Sequence, residues 1–119
     1  MPSLTVRHRQ DWILLEYGEF RIGLDLALDD GTTLLSHAHA DHTGGLHRAR
    51  HVIATAATVD VFRARGGTPS WRLTHVGLGD TILHDGAAIS ALDSGHVLGS
   101  SMYLIRLEQG PSVLYTGDF

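Results

Sequence analysis

Ser36-His37-Ala38-His39-Ala40-Asp41-His42-Thr43-Gly44-Gly45 is the segment around which the chain is organised. Three histidines and a carboxylate fall within six residues, directly after the apolar Thr33-Leu34-Leu35. That run reads as a short buried strand, and the Gly-Gly pair ends the pattern. Side chains alternate along an extended segment, so His37 and His39 share a face and can share one metal ion. Asp41 continues the alternation and His42 breaks it, which requires a turn at about residues 40–43. A turn there lets Asp41 and His42 face a second ion beside the first. The spacing reads as half of a two-metal site.

Working outward, the 119 residues suffice for one small domain. There is no cysteine, so the metal ligands must be histidine and carboxylate, and thiolate structural zinc is excluded. Nitrogen and oxygen donors suit zinc, and also manganese or iron. The formal charge is −4 and every basic residue is arginine, with no basic tail or stripe. Arg48, Arg50, Arg63 and Arg65 lie near the metal motif in sequence and read as the solvated side of a helical segment. No run approaches the roughly 18 apolar residues of a membrane span. The first ten residues lack the apolar centre of a signal peptide, so a cytoplasmic protein with no membrane partner is expected.

Before the motif, residues 4–7, 12–17 and 20–25 read as strands, with Gly18-Glu19 as a hairpin turn. Asp29-Asp30-Gly31 turns the chain into the strand at 34–37. After the motif come a buried strand at 52–54 and a helix capped by Thr55 that stops at Gly66-Gly67. Strands are then expected at 71–76, 81–83, 87–92, 101–107 and 112–116. Turns fall at 77–80, 85–86 and 108–111. The chain is strand-rich α/β with one clear helix.

Two later segments hold further ligand candidates. Asp93-Ser94-Gly95-His96-Val97-Leu98-Gly99-Ser100 sets a histidine between glycines, and Tyr115-Thr116-Gly117-Asp118-Phe119 sets an aspartate just past a strand. Strand ends are where a scaffold holds ligands rigidly.

These residues resemble a known family. His37-Ala38-His39-Ala40-Asp41-His42 matches the HxHxDH signature of the metallo-β-lactamase fold. The segment 95–100 resembles the GHxxGS-like loop, and 115–119 the YTGDF-like strand end, of its β-CASP nuclease branch of RNA-processing enzymes. The likeness runs from about Trp12 to Phe119. It implies the first half of an αββα sandwich, a strand-rich sheet with a helix on its outer face. It implies that His37, His39 and His96 bind one zinc, that Asp41 and His42 bind a second, and that Asp118 bridges them. Asp25, ending the third strand, matches an aspartate that steadies the metal loop. The implied reaction is phosphodiester hydrolysis of RNA, or of DNA, by a hydroxide held between two zinc ions, which Asp41 orients. The runner-up is an ester or thioester hydrolase on the same fold, whose second loop more often reads GHTPG. A non-catalytic metal-binding assembly module, or a truncated fragment, is the third reading.

The family fold has two similar halves packed sheet on sheet, and the resemblance implies a single half domain over residues 1–119. The inserted β-CASP domain, its leaving-group histidine and the last histidine ligand of the second zinc are then missing. An apolar sheet face left without its cover is expected to find a partner, as a homo-oligomer or through a separate C-terminal half. His8, His47, His51, His75 and His84 have no partners at ligand spacing and read as surface or hydrogen-bonded core residues. Trp12 and Trp71 read as packing aromatics.

Overall fold

The computed structural model describes residues 3–9, 12–36, 49–64, 72–93 and 101–116. Among these described residues, ten strands and a helix follow in chain order: β1 (Leu4–Arg9), β2 (Trp12–Tyr17), β3 (Phe20–Leu24), β4 (Thr32–Leu34), β5 (His51–Ala54), α1 (Ala56–Ala64), β6 (Arg72–His75), β7 (Thr81–His84), β8 (Ala87–Asp93), β9 (Ser101–Leu107) and β10 (Ser112–Tyr115). Every expected strand is present, with ends shifted by at most two residues except at β4, expected at 34–37 and found at Thr32–Leu34.

The strands form two sheets: six strands in the order β1 to β6, and four in the order β10-β9-β8-β7. In the first, β1, β2 and β3 are antiparallel and β3 to β6 are parallel. The second is antiparallel throughout. Two-residue turns set the hairpin registers. Gly18 takes φ 60° between the paired Tyr17 and Phe20, and Asp85 and Gly86 take 49° and 84° between the paired His84 and Ala87. Positive φ at both central residues is the type I′ pattern that matches strand twist, and Asp-Gly adopts it readily.

Strands β4 and β5 are buried at every position, as parallel strands covered on both faces must be. On one side α1 lays Val59 and Phe62 against Leu35, Val52 and Ala54. The helix starts where Thr55 caps it: the Thr58 amide donates to Thr55 Oγ1 at 3.2 Å, and the two hydroxyls lie 2.8 Å apart. On the other side Leu15, Ile22, Leu24, Leu34 and Ile53 meet Ile89, Ala91, Tyr103, Ile105 and Tyr115 from the second sheet.

That arrangement corrects one expectation. The chain supplies both central sheets, so the sheet-on-sheet interface is filled from within and is not the uncovered face. The reason is the alternation along β8 and β9, which sends one set of apolar residues inward to close the sandwich. The opposite set, with Leu92 paired to Met102 and Leu104 paired to Leu114, lies on the outer face beside Leu83. Leu83 is 84% exposed and Leu114 54%. Among the described residues no helix covers this face. Among the described residues the layers are therefore helix, sheet, sheet.

Candidate metal centre

The site is built from the ends of strands. In an open α/β sheet, loops at the carboxyl ends of parallel strands are where ligands bind. Strands β3 and β4 end at Leu24 and Leu34, and the chain passes at once to Asp25 and to Leu35-Ser36. In the second sheet Asp93, at the end of β8, pairs with Ser101, at the start of β9. Tyr115, at the end of β10, pairs with Tyr103.

Hydrogen bonds join these ends to one another. Asp25 is buried and takes φ 57°, a left-handed conformation that aspartate accepts more readily than most residues. Its amide donates to the Leu34 carbonyl at 2.8 Å. Its Oδ1 accepts the Ser36 amide at 2.8 Å, and its Oδ2 accepts the Ser36 hydroxyl and the Tyr115 hydroxyl, each at 2.5 Å. The Ser36 carbonyl accepts the Ser101 amide at 2.8 Å and the Ser101 hydroxyl at 3.3 Å. Tyr103, wholly buried, donates its hydroxyl to the Leu35 carbonyl at 2.7 Å. Burial pushes the Tyr103 phenol pKa above its ordinary value. That keeps it a donor.

The segment after β3 is fixed in the same way. Thr33 Oγ1 donates to the Leu26 carbonyl at 2.7 Å and accepts the Leu28 amide at 3.1 Å. A side chain on Gly23 would strike the Leu26 carbonyl, so glycine is needed where that segment crosses β3.

Of the expected site residues, Asp25 is described. His37, His39, Asp41, His42, His96 and Asp118 lie outside the described residues. Among the described residues no group of three histidines or carboxylates can hold a metal ion. The flanks of the ligand-bearing segments are described: Ser36 precedes His37, Ser101 follows the segment of His96, and Tyr115 stands three residues before Asp118. Through Asp25 and Ser36 all three flanks are linked. The donor set, four histidines and two aspartates, has the chemistry of a zinc, iron or manganese site.

Sequence reasoning missed the parts played by Ser36, Ser101, Tyr103 and Tyr115. A signal for the tyrosines exists: a phenol at an inward position of a strand must find an acceptor.

The histidines set aside behave as core or surface residues where they are described. His51 is buried between Thr32 Oγ1 at 3.0 Å and Thr74 Oγ1 at 2.7 Å. Burial, then the cation of Arg72, hold its pKa below the ordinary imidazole value. His8 and His75 are exposed. Two clefts lie at the opposite end of the sandwich, one beside Glu19, Asp85 and Glu108, the other beside Glu19, Asp30 and Asp85 with Arg21. Their carboxylates make a poor seat for a phosphodiester.

No family model matches the chain. Among solved structures, a metallo-β-lactamase from Cronobacter sakazakii superposes with a TM-score of 0.69 at 21% identity, over 96% of this chain and 60% of that one. The chain has the metallo-β-lactamase fold. Two curated relatives carry the sequence likeness. A probable DNA ligase of Opitutus terrae is 33% identical over 101 residues, 81% of this chain and 9% of that protein. The 5′ exonuclease Apollo of Gallus gallus is 32% identical over 88 residues, 71% of this chain and 19% of that protein. The expected kinship with the β-CASP nuclease branch is borne out. This metallo-β-lactamase-fold chain thus spans less than a fifth of the length of either curated relative. Among its described residues no helix is long and apolar enough to cross a membrane.

Proposed function

We propose that the chain forms the metal-binding part of a phosphodiester hydrolase acting on nucleic acid. The observation that carries the proposal is the linkage of three strand ends through Asp25 and Ser36, since each end adjoins a segment that carries at least one ligand-type residue. His37, His39 and His96 would hold one zinc ion, Asp41 and His42 a second, and Asp118 both. When bound, such a pair makes water acidic enough to attack at neutral pH and offsets charge on the attacking and leaving oxygens. The chain's own contribution is to fix the donors and to exclude alternative geometries. Asp41 accepts a hydrogen bond from the attacking water and sets its direction. RNA, which the resemblance implies, and DNA, which the name of the Opitutus terrae relative suggests, enter as substrates on equal terms.

The same reading assigns a partner to the outer face of the four-stranded sheet. The chain spans 60% of the Cronobacter sakazakii structure, and the remainder of such a fold is the natural cover for Leu83, Leu92, Met102, Leu104 and Leu114. That cover is a C-terminal half, supplied separately or by further chain; a second copy of this chain is the competing occupant.

The activity test uses zinc-loaded protein with single-stranded RNA, single-stranded DNA and a panel of thioesters. Cleavage of a nucleic acid that falls at least about a hundredfold in Asp41→Ala supports the reading. Cleavage unchanged in Asp41→Ala, or hydrolysis confined to thioesters, overturns it.

A further inference from the structure

Tyr115 is the last residue of β10, and its ring packs in the core between the sheets. Its hydroxyl crosses from the second sheet to the first and donates to Asp25 Oδ2 at 2.5 Å. The other oxygen of the same carboxylate receives the Ser36 amide, and Oδ2 also receives the Ser36 hydroxyl. One side chain therefore binds the residue that precedes His37 and the residue three before Asp118. Nothing in the packing of the ring demands the hydroxyl, since a phenylalanine would fill the same volume among Leu24, Tyr103 and their apolar neighbours. What the hydroxyl adds is a bond between two strand ends in different sheets. A charge-assisted bond of this kind fixes direction as well as distance.

We propose that Tyr115 is a positioning residue for the segment that carries Asp118, acting through the Asp25 carboxylate on the placement of the metal-binding segments relative to one another. The proposal rests on Asp118 being a metal ligand, as argued above. Partners one bond removed from a metal ligand typically set its orientation, and their loss costs about 10–100-fold in metal affinity. Tyr115 stands further away, yet it fixes the chain only three residues before the ligand's own position.

The test is titration of the purified chain with cobalt(II), read by visible absorption and by calorimetry. Wild type is compared with Tyr115→Phe, Asp118→Asn and Ile105→Val. The last trims the core between the sheets without touching Asp25, and so reports the effect of lost stability alone. The expected result is weaker cobalt binding in Tyr115→Phe, by about tenfold, with an absorption change in the same direction as in Asp118→Asn. Ile105→Val should retain the affinity and spectrum of wild type. Wild-type binding by Tyr115→Phe, or an equal loss in Ile105→Val, would overturn the positioning role. If Asp118→Asn bound cobalt as wild type does, the assignment of Asp118 itself would fail, and the proposal with it.

Discussion

Asp25 shows how much one side chain can organise. It ends β3, adopts a left-handed conformation, and accepts three hydrogen bonds from two residues that are distant in sequence. Removing the carboxylate leaves the Ser36 amide, the Ser36 hydroxyl and the Tyr115 hydroxyl in a buried place without that acceptor. Unmade bonds of this kind are costly, and Asp25→Ala is expected to destabilise the fold by about 3 kcal/mol. Urea unfolding measures it, and a loss under about 1 kcal/mol would show that the cluster is held by other contacts. The aspartate was legible in the sequence through its family motif. Its partners were not, because a serine before a histidine and a tyrosine in a strand have many ordinary explanations. Which hydroxyl faces which carboxylate depends on how two sheets stack, and that is a long-range fact. The six expected ligands remain a reading of spacing and resemblance.

At the scale of elements, the strands and the helix were legible because their signals are local. Strand-length apolar pieces between turns marked β8 and β9, Thr55 marked the start of α1, and Asp85-Gly86 marked the turn between β7 and β8. Gly86 sits at φ 84°, where a side chain is strained. Gly86→Ala is therefore expected to cost about 1 kcal/mol, read from the denaturation midpoint. An unchanged midpoint would mean that the turn is not held in this conformation in solution. A tighter constraint stands at Gly110, where a side chain would overlap the ring of Tyr17. Tyr17 also donates its hydroxyl to the Gln109 carbonyl at 3.3 Å. The two sheets are thus fastened at both ends, by Tyr17 at the turn end and by Tyr115 at the metal end.

For the molecule as a whole, the expected uncovered sheet face is not the one between the two sheets. Apolar alternation reveals that a strand has a buried face, but not which sheet it joins. Strands β7 to β10 form a second sheet that closes the sandwich, and the uncovered surface moves to its outer side. Exposed apolar surface of this kind drives association. The chain is expected to self-associate at micromolar concentration in sedimentation velocity when no other cover is present. The double substitution Leu83→Lys and Leu114→Lys should return it to a monomer, because like charges would then line the same face. A well-folded wild-type monomer at that concentration would contradict the need for a partner.

The proposed metal centre requires three separate segments of this chain to bring their ligands to one pair of metal ions. A crystal structure of the protein grown with zinc decides whether they do. Expected are a nitrogen of His37, His39 and His96 at about 2.0–2.1 Å from one ion, and an oxygen of Asp118 at about 2.0–2.2 Å from both. His96 or Asp118 directed away from the ions held by the first segment would contradict it.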